Sequence, residues 1–545
     1  MKEKLNKHYV MVIGILLVSL LFCIPLFINP YHVNNDTLFH VSNVSVIVEA
    51  IKTNFLNGIT MRIMPNIANN FGYGTRLFYP PLTHTLTAYL AYGLSFFNVS
   101  VIDTMKVMHL LVLFLSGLSM YFCAYRFSHN KLLSFISSLI YMGSSYHIDE
   151  IYVRDSEAEA LLFVFLPLII TAVKELLEGN KKLFYPLFII GYVGGILSHF
   201  TMMIYFTLIL GACMLFFYKK VFRKEFLIPF IKASILVLLL TLFFFEPLFE
   251  HKLFGNYRVY QKWVMSLGIQ HTALWGFEYF IPFDKSEIYF YLSIITIVLL
   301  VAFFKYYRKD LKDEKVKLVF IFTCFSLWLS TVYFPWIIMP YTMFMIQFGW
   351  RLVALVILGV SFIAPMALKE SKSKIICGVV ILGLIISGFT AIHFASDDIV
   401  DINSLNYVYG MGWQREYLPV DMETNLDYYN NRGQDVVITE GKGSVETTLN
   451  SVPDLEFKVT SDDSVTIEMP RIFYFGYELM REDGEVIPLF SNGNGFLASH
   501  VTSGSYKLKY KGTITYRICI YISLTTLGVL LLYVLVKVIK IKILK

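Results

Sequence analysis

Asp36 and His40 are the first residues of the chain whose types and spacing could do chemistry together. They lie four positions apart in the stretch Asn-Asn-Asp-Thr-Leu-Phe-His at residues 34–40, which follows the first long apolar run. If this stretch opens a helix, both side chains lie on one face, so a carboxylate and an imidazole can act on the same small volume. The alternative is that one of the first three residues only caps a helix beginning after it, which these residue types do well. These residues by themselves leave both interpretations open.

A second candidate is the segment 149–159, where six charged residues lie between two apolar runs: Asp149, Glu150, Arg154, Asp155, Glu157 and Glu159. Such a segment cannot be the middle of a membrane-spanning helix, because each charge would cost ~2.5–3.5 kcal/mol at the bilayer centre. Arg154 has acids on both sides and is a candidate phosphate ligand. A solvated loop with internal salt bridges is the alternative.

His199 and Arg351 are further candidates, each beside a long apolar run. His199 follows Ser198 at a predicted helix end, where a histidine can also serve only as a cap. Arg351 closes the stretch Gln-Phe-Gly-Trp-Arg at 347–351 and opens an apolar run. Its guanidinium could clamp a phosphate through paired donors, or it could extend to lipid headgroups.

The composition shows what must position these residues. The 545-residue chain is 56% hydrophobic and only 16% charged, against roughly 25% charged in soluble proteins, and its mean hydropathy is +0.60. It is therefore an integral membrane protein. All six cysteines lie in apolar runs, which leaves no disulfide framework or zinc spacing. The basic residues lie in short clusters between apolar runs, so the net charge of +6 does not indicate nucleic-acid binding.

Twelve apolar runs are long enough to span a membrane, or nearly so. They begin near Tyr9, Met105, Leu132, Ala158, Leu183, Phe200, Phe226, Ile288, Val316, Leu352, Ile375 and Ile518. The stretch 183–218 exceeds one crossing, so we predict a break at Ser198-His199. Residues 82–97 are apolar and aromatic, and we interpret them as an amphipathic helix on the outer surface.

Basic residues decide the predicted orientation. With the N-terminus inside and 82–97 outside the membrane, the inner segments carry 25 Lys and Arg and the short outer loops carry eight. Counting 82–97 as a crossing would reverse this asymmetry and violate the positive-inside rule. The sequence thus predicts a multi-pass protein of the cell membrane with cytoplasmic N- and C-termini, and it places all the candidate site residues at the outer face.

Residues 396–512 differ from the rest because their hydrophobic period is two. Alternating apolar residues run through 455–459, 465–469 and 506–510, and turn-forming clusters lie at 461–463 and 491–495. The predicted fold is a polytopic all-α membrane protein with a small extracytoplasmic antiparallel β domain before the last helix. Its predicted domains are 1–395 (transmembrane), 396–512 (β domain) and 513–545 (last helix and basic cytoplasmic tail).

These features resemble the C-type membrane glycosyltransferase superfamily (GT-C), and within it the bacterial YfhO-like group. Some members of that group are labelled as membrane proteins related to 6-pyruvoyl-tetrahydropterin synthase. The residues that carry the resemblance are 35–40, Tyr-Pro-Pro-Leu at 79–82, Tyr-Val-Arg at 152–154 with Glu157, 197–199, 347–351, Glu-Tyr-Leu-Pro at 416–419 and the closing β domain.

The resemblance implies transfer of a sugar from a polyprenyl-phosphate donor to a cell-envelope glycan or glycopolymer on the outer face. Asp36 matches the catalytic aspartate, with His40 orienting it or meeting the acceptor. Arg154 and Arg351 are the expected phosphate ligands, with His199 beside them. The supporting acids are Asp149, Asp155 and Glu157, of which the last two are expected to hold Arg154 or bind sugar hydroxyls.

Three questions remain open from the sequence. No paired acid or Asp-x-Asp accompanies Asp36, so the sequence does not establish whether the site binds a metal ion. No cofactor is indicated, and a divalent cation remains an alternative. A transporter or flippase of a lipid-linked precursor is the alternative function, although it would place ionisable residues near mid-span. A non-catalytic scaffold that presents the β domain is a third reading.

The predicted orientation can be checked by labelling. Single cysteines at Asn54 and Asp462, in a cysteine-free background, should react with a membrane-impermeant thiol reagent in intact cells, whereas cysteines at Lys220 and Lys312 should not. The expectation follows from the asymmetry of basic residues. Labelling of the second pair with the first pair silent would reverse the orientation.

Overall fold

The computed structural model describes residues 2–29, 31, 33, 36–261, 301, 313–339, 348–370, 382–386, 388, 393, 411 and 415–543. The predicted spans near Ile288 and Ile375, together with Asn34, Asn35 and Gln347, lie outside these residues.

Most of the described chain is helical. In chain order the helices are α1 Lys2–Ile28, α2 Thr37–Thr53, α3 Asn57–Thr60, α4 Thr75–Phe78, α5 Leu82–Ser95, α6 Val101–Ser128, α7 Lys131–Met142, α8 Ser145–Tyr152, α9 Glu157–Leu177, α10 Lys181–Ser198, α11 Phe200–Leu215, α12 Tyr218–Val221, α13 Lys224–Phe254, α14 Glu314–Leu329, α15 Val353–Glu370, α16 Val420–Thr424, α17 Leu426–Asn431 and α18 Ile514–Ile543. Short 3-10 turns are formed by Arg258–Tyr260, Trp336–Ile338 and Gly349–Leu352.

Within the described residues, five helices are long and apolar enough to cross a membrane: His8–Ile28, Val101–Ser128, Glu157–Leu177, Lys224–Phe254 and Ile514–Lys540. Each matches a predicted span, but the figure of twelve is not confirmed. Lys131–Met142, Phe200–Leu215 and Gly349–Ile363 are shorter apolar helices. The 12 residues of α7 extend only about 18 Å, against a hydrocarbon core of about 30 Å.

Two predicted features of the helical region can be compared with the structure. The long apolar stretch breaks at His199, between the end of α10 and the start of α11, which confirms the predicted break. The α5 helix has 14 residues, about 21 Å at 1.5 Å per residue, which is short for a crossing. Its position on the outer surface stays a prediction.

The chain divides into two compact units. The first comprises Met1–His40, Gly93–Val237 and Met265–Asn406. Its core joins α1, α6, α7 and α8 through Ile15, Phe22, Leu113, Met142 and Ile151, all buried. This packing fixes the start of the segment that carries the charged cluster.

Ion pairs in the first unit agree with the predicted grouping of loops. Arg126 and Glu175, from two segments predicted to be inside, pair at 2.9 Å. Lys220 and Glu314, from two further inner segments, pair at 2.6 Å. Residues predicted to be at the outer face likewise meet one another, as the candidate site shows below. Which of these two faces is cytoplasmic stays a prediction.

The second unit comprises Val41–Tyr92, Leu238–Val264 and Tyr407–Lys545. It contains two antiparallel sheets built from β1 Val437–Glu440, β2 Ser444–Ser451, β3 Asp454–Thr460, β4 Val465–Ile472, β5 Tyr477–Arg481, β6 Val486–Ile487, β7 Phe490–Ser491, β8 Phe496–Val501 and β9 Gly504–Tyr510. The strand orders are β1-β4-β8-β7 and β2-β3-β9-β5-β6.

The predicted strands are confirmed. The alternating residues of β3, β4 and β9, among them Leu455, Ile467 and Leu508, are buried in one hydrophobic core shared by both sheets. Leu455 and Leu508 are direct cross-strand partners, as expected where the period of two places apolar side chains on the same face.

Aromatic contacts explain why residues 41–92 and 238–264 belong to the sheet-containing unit. Phe78 stacks on Tyr417 with ring centroids 5.2 Å apart, and Tyr257 stacks on Tyr474 at 5.7 Å. The Tyr474 hydroxyl also donates to the Tyr417 carbonyl at 2.9 Å. The Glu-Tyr-Leu-Pro stretch is thus held by rings from distant parts of the sequence. The predicted domain boundaries stay predictions.

Candidate functional site

The charged segment 149–159 is buried in the first unit. Its six charged residues are each at most 4% exposed, so the solvated-loop alternative is wrong. The α8 helix ends at Tyr152, and the Asp149 carbonyl accepts both the Val153 and Arg154 amides at 2.9 Å. Asp155 then adopts a left-handed backbone with φ of 56°, and α9 begins at Glu157. This tight turn brings acids from both helices to one arginine.

Glu159 is the central acceptor of the cluster and is fully buried. One carboxylate oxygen accepts the Tyr146 hydroxyl. The other, Oε2, accepts Arg154 Nη1 at 2.8 Å. Arg351 Nε lies 3.4 Å from this oxygen and His199 Nε2 lies 3.8 Å from it. Three predicted phosphate-site residues are therefore grouped around an acid that was not predicted as part of the site.

Arg154 is bound by a second acid and an aromatic ring. Its Nη1 donates to Glu150 at 2.6 Å, and its guanidinium carbon lies 4.6 Å from the centroid of Trp350. Although burial opposes it, the charges of Glu150 and Glu159 raise the pKa of Arg154 above its ordinary range. Among the described residues, none lies within hydrogen-bond distance of Arg154 Nη2 or Nε. These donors remain for a ligand.

Asp155 does not hold Arg154, which was one of its two predicted roles; binding of a sugar hydroxyl stays a prediction. Its Oδ1 accepts the Tyr31 hydroxyl at 2.7 Å and lies 2.7 Å from His109 Nε2. Although burial would raise it, these hydrogen bonds and the charge of His109 lower the pKa of Asp155. Arg154, in the turn that follows α8, pairs instead with Glu150, four residues before it. Glu157, the other expected holder, is 1% exposed and opens α9.

Asp36 lies beside Arg154 and is the most exposed acid of the site. Its amide donates to the Arg154 carbonyl at 3.0 Å. Its Oδ2 lies 3.6 Å from Arg154 Nη2, and its side chain is 38% exposed. The His40 amide donates to the Asp36 carbonyl at 3.0 Å, so Asp36 occupies the position of a helix cap. The capping position and an accessible carboxylate therefore coexist.

His40, one turn into α2, is only 1% exposed. Burial lowers its pKa, against the opposing charges of Asp36 and Asp155. A buried imidazole of this kind can position its surroundings, but it is poorly placed to meet an incoming molecule. Both predicted roles of His40, orienting Asp36 and contacting the acceptor, stay predictions.

His199 and Asp149 complete the predicted set. The His199 Nδ1 accepts the Met202 amide at 3.3 Å, so this histidine caps α11 while its other nitrogen faces Glu159. Asp149 is 1% exposed. Burial raises the pKa of Asp149 well above its ordinary value, and the charge of Glu150 contributes to this increase.

Sequence reasoning missed Glu150, Glu159, Tyr146 and Trp350 as site residues. The spacing of Glu150 and Arg154 was a usable signal, because residues four apart face each other on a helix. Tyr146 and Trp350 gave none, since their pairing depends on the tertiary structure. Within the described ranges there is no group of three or more His, Cys, Asp or Glu that could hold a metal ion.

Together these observations define a helical membrane protein with a buried arginine and carboxylate cluster beside an accessible aspartate. Residues 77–394, more than half of the chain, match the family model described as 6-pyruvoyl-tetrahydropterin synthase related domain; membrane protein. The chain belongs to this family of membrane proteins.

One curated protein and one solved structure are also similar to this chain. An uncharacterized protein of Lactococcus lactis subsp. cremoris (strain MG1363) is 23% identical over 349 residues, covering 61% of this chain and 55% of the relative. The chain thus spans about half the length of this curated relative. The crystal structure of ArnT from Cupriavidus metallidurans bound to undecaprenyl phosphate is 11% identical, with a TM-score of 0.39, and the match covers 69% of this chain and 63% of that one.

The cluster predicts a pH dependence of stability. Burial raises the pKa of Glu150 to about 8, partly opposed by Arg154. Because the folded state binds this proton more tightly than the unfolded state does, protonation of Glu150 stabilises the folded protein. This contribution is fully present below the pKa that Glu150 has in the unfolded state, and it is lost as the pH rises through its pKa in the folded state. Glu150→Gln should therefore lose less thermal stability than the parent between pH 6 and pH 9.

Thermal unfolding of the detergent-solubilised protein, followed by intrinsic fluorescence, measures this difference. Glu446→Gln, which removes an exposed carboxylate on β2, should lose as much stability as the parent. An equal alkaline loss in Glu150→Gln would show that Glu150 does not carry the effect.

Proposed function

We propose that this protein transfers a sugar from a polyprenyl-phosphate-linked donor to a cell-envelope acceptor at the outer face of the membrane, as a glycosyltransferase of the GT-C type in the YfhO-like group. The observation that carries the proposal is the grouping of Arg154 and Arg351 around Glu159, with the half-exposed carboxylate of Asp36 beside Arg154. Such a site offers donors for a phosphate and a base at the same place.

The two guanidinium groups are the proposed ligands of the donor phosphate. Guanidinium donors match phosphate oxygens in geometry and keep their charge when buried. Arg154 makes its hydrogen bonds to acids through Nη1, which leaves Nη2 and Nε for the ligand. Trp350 packs against both guanidinium groups, with centroid distances of 4.6 and 5.7 Å, and so limits their motion.

Asp36 is the proposed general base. In the proposed step, its carboxylate takes the proton of an acceptor hydroxyl while the hydroxyl oxygen forms a bond to the anomeric carbon. The bond between that carbon and the phosphate oxygen breaks, and the polyprenyl phosphate leaves with the electron pair. Arg154 and Arg351 stabilise its added negative charge. A positioned base contributes about 10²–10⁴-fold to such a transfer.

Membership of a membrane-protein family and the candidate spans supply the setting for a lipid-linked donor. The polyprenyl chain of the donor would lie in the membrane, together with other lipids, against the apolar helices. The arginine cluster supports a phosphate as the ligand, and the polyprenyl carrier is what the resemblance to the GT-C superfamily implies.

Asp36→Asn tests the base directly. Asn caps a helix about as well as Asp, so the protein should reach normal abundance in the membrane. Its amide cannot accept the proton, so transfer should fall by about 10²-fold or more. The assay compares the envelope glycans of a deletion strain, its parent, and the deletion strain carrying each variant.

Asp103→Asn is the matched control, because Asp103 lies in the first turn of α6 and its side chain is 55% exposed. It should restore the parental glycans. Unaltered glycans in the deletion strain would contradict the transferase proposal, and full restoration by Asp36→Asn would remove Asp36 from the role of base.

Arg351→Lys separates a phosphate clamp from a headgroup contact. Lysine keeps the charge but lacks the planar fork, so transfer should fall by about tenfold if Arg351 binds the phosphate. A residue that only reaches lipid headgroups would be replaced by lysine without loss. The same glycan comparison gives the readout.

Arg126→Lys is the control for this change, because Arg126 makes a forked pair with Glu175, with bonds of 2.9 and 3.0 Å, in a predicted inner segment. It should leave transfer near the parental level. Parental transfer in Arg351→Lys at normal protein abundance would assign Arg351 to the lipid headgroups.

A further inference from the structure

The sheet-containing unit has a polar cleft of about 1000 Å³, a size typical of ligand sites. Neutral amide and hydroxyl side chains form much of its lining, from the segment after α2 and from the strands. They include Thr53, Asn57, Asn66, Asn70, Gln434 and Asn450. Amides both donate and accept hydrogen bonds, so this lining suits a ligand rich in hydroxyl groups.

Part of this lining is held in place by the fold. Asn66 and Asn70 have left-handed backbones with φ of 51° and 62°, a conformation that Asn tolerates better than most residues. The Gln434 side-chain amide donates to the Asn69 carbonyl at 2.7 Å. Asn450 donates to the Gln434 carbonyl at 2.7 Å and accepts the fully buried Arg471 at 2.7 Å. The cleft is thus largely formed before a ligand arrives.

A buried arginine, Arg62, also lines the cleft. Only 6% of it is exposed. Its Nε donates to the Tyr516 hydroxyl, and its Nη1 donates to the carbonyls of Ile59 and Met61 at 2.8 and 3.1 Å. No described residue accepts a hydrogen bond from its Nη2.

The same unit contains a second buried arginine. Arg76 is 3% exposed and donates to the Gly58 carbonyl at 2.8 Å and to the Thr85 hydroxyl at 2.6 Å. Its buried Nε has no partner within the described chain. Burial lowers the pKa of Arg76 to about 9, and the charge of Arg62 contributes to this decrease.

Neither arginine has a carboxylate within 4.0 Å among the described residues. Backbone carbonyls satisfy guanidinium donors, but they contribute no net charge to offset two buried cations, and an unpaired buried charge is costly. The acid that lines the cleft, Glu49, pairs with Lys52 at 2.6 Å. Of the two charged residues in the described lining, Glu49 thus has a partner of opposite charge and Arg62 has none within 4.0 Å.

We propose that this cleft binds an anionic saccharide, in which sugar hydroxyls meet the amide lining and a carboxylate or phosphate group meets Arg62. The anion would supply the charge that the fold does not. This binding needs neither Asp36 nor the Arg154 cluster, so it does not rest on the proposed transfer reaction.

Binding to the full-length protein in detergent, measured by isothermal titration calorimetry, tests the proposal. A hexuronic-acid trisaccharide should bind, and the neutral hexose trisaccharide of the same linkage should bind at least ~5-fold more weakly, because it lacks the interaction between opposite charges. Inorganic phosphate should compete with the acidic trisaccharide.

Asn66→Asp places a negative charge in the cleft without a change of size or backbone preference. It should weaken binding of the acidic trisaccharide by ~5-fold or more, while binding of the neutral one changes little. Asn69→Asp is the matched control: Asn69 is also exposed, with φ of 54°, but does not line the cleft. It should bind like the parent.

Three outcomes would overturn the proposal: equal binding of the acidic and neutral trisaccharides, absence of binding by both, or parental affinity in Asn66→Asp. Phosphatidylglycerol vesicles distinguish a lipid headgroup from a soluble saccharide. If only the vesicles bind, and Asn66→Asp weakens that binding, the cleft takes a lipid phosphate and the saccharide proposal fails.

Discussion

The need to pair the buried carboxylate of Glu159 determines the rest of the first unit's polar architecture. A carboxylate removed from water is stable only with compensating charge and hydrogen bonds. Glu159 obtains them from Tyr146 on α8, Arg154 in the following turn and Arg351 in the turn before α15, and His199 at the start of α11 lies 3.8 Å from the same carboxylate. Four separate segments therefore converge on one side chain. A shift of any of them would leave a buried charge without its partner, so the cluster fixes the fold as well as the site.

The same arrangement creates the asymmetry on which the proposed chemistry depends. Arg154 uses one terminal nitrogen for Glu150 and Glu159 and turns the other toward Asp36 at 3.6 Å, beyond hydrogen-bond distance. Asp36 thus forms an ion pair with Arg154 without a direct hydrogen bond, and its side chain is exposed where the other acids are buried. An incoming phosphate would find unused donors on Arg154, and an incoming hydroxyl would find an accessible carboxylate at Asp36. Burial of the remaining acids removes competing bases from the site.

The sequence predicted those features that depend on local pattern. Alternation placed β3, β4 and β9 correctly, the length of the apolar stretch located the break at His199, and the charge asymmetry grouped Asp36, Arg154, His199 and Arg351 together. It could not predict which acids hold Arg154, because that depends on the left-handed turn at Asp155, which directs Asp155 to Tyr31 and His109 instead. The lengths of the apolar runs could not give the number of helices either, because α7 ends at Met142 and a separate helix, α8, begins at Ser145. The place of residues 41–92 in the sheet-containing unit depends on ring contacts such as Phe78 with Tyr417, which no local pattern encodes.

The two arginine pairs of this chain imply different ways of handling an anion. Arg154 and Arg351 share an internal carboxylate, so the positive charge of their cluster is already offset when it is empty, and a ligand phosphate would gain less attraction there. Weaker attraction favours release of the product phosphate, as repeated turnover requires. Arg62 and Arg76 have no described carboxylate within 4.0 Å, so an anion at Arg62 would gain attraction without displacing an internal partner. This arrangement favours retention. The chemistry of each pair thus suits one role, exchange at the Glu159 cluster and holding in the cleft, even though both use the same side chain.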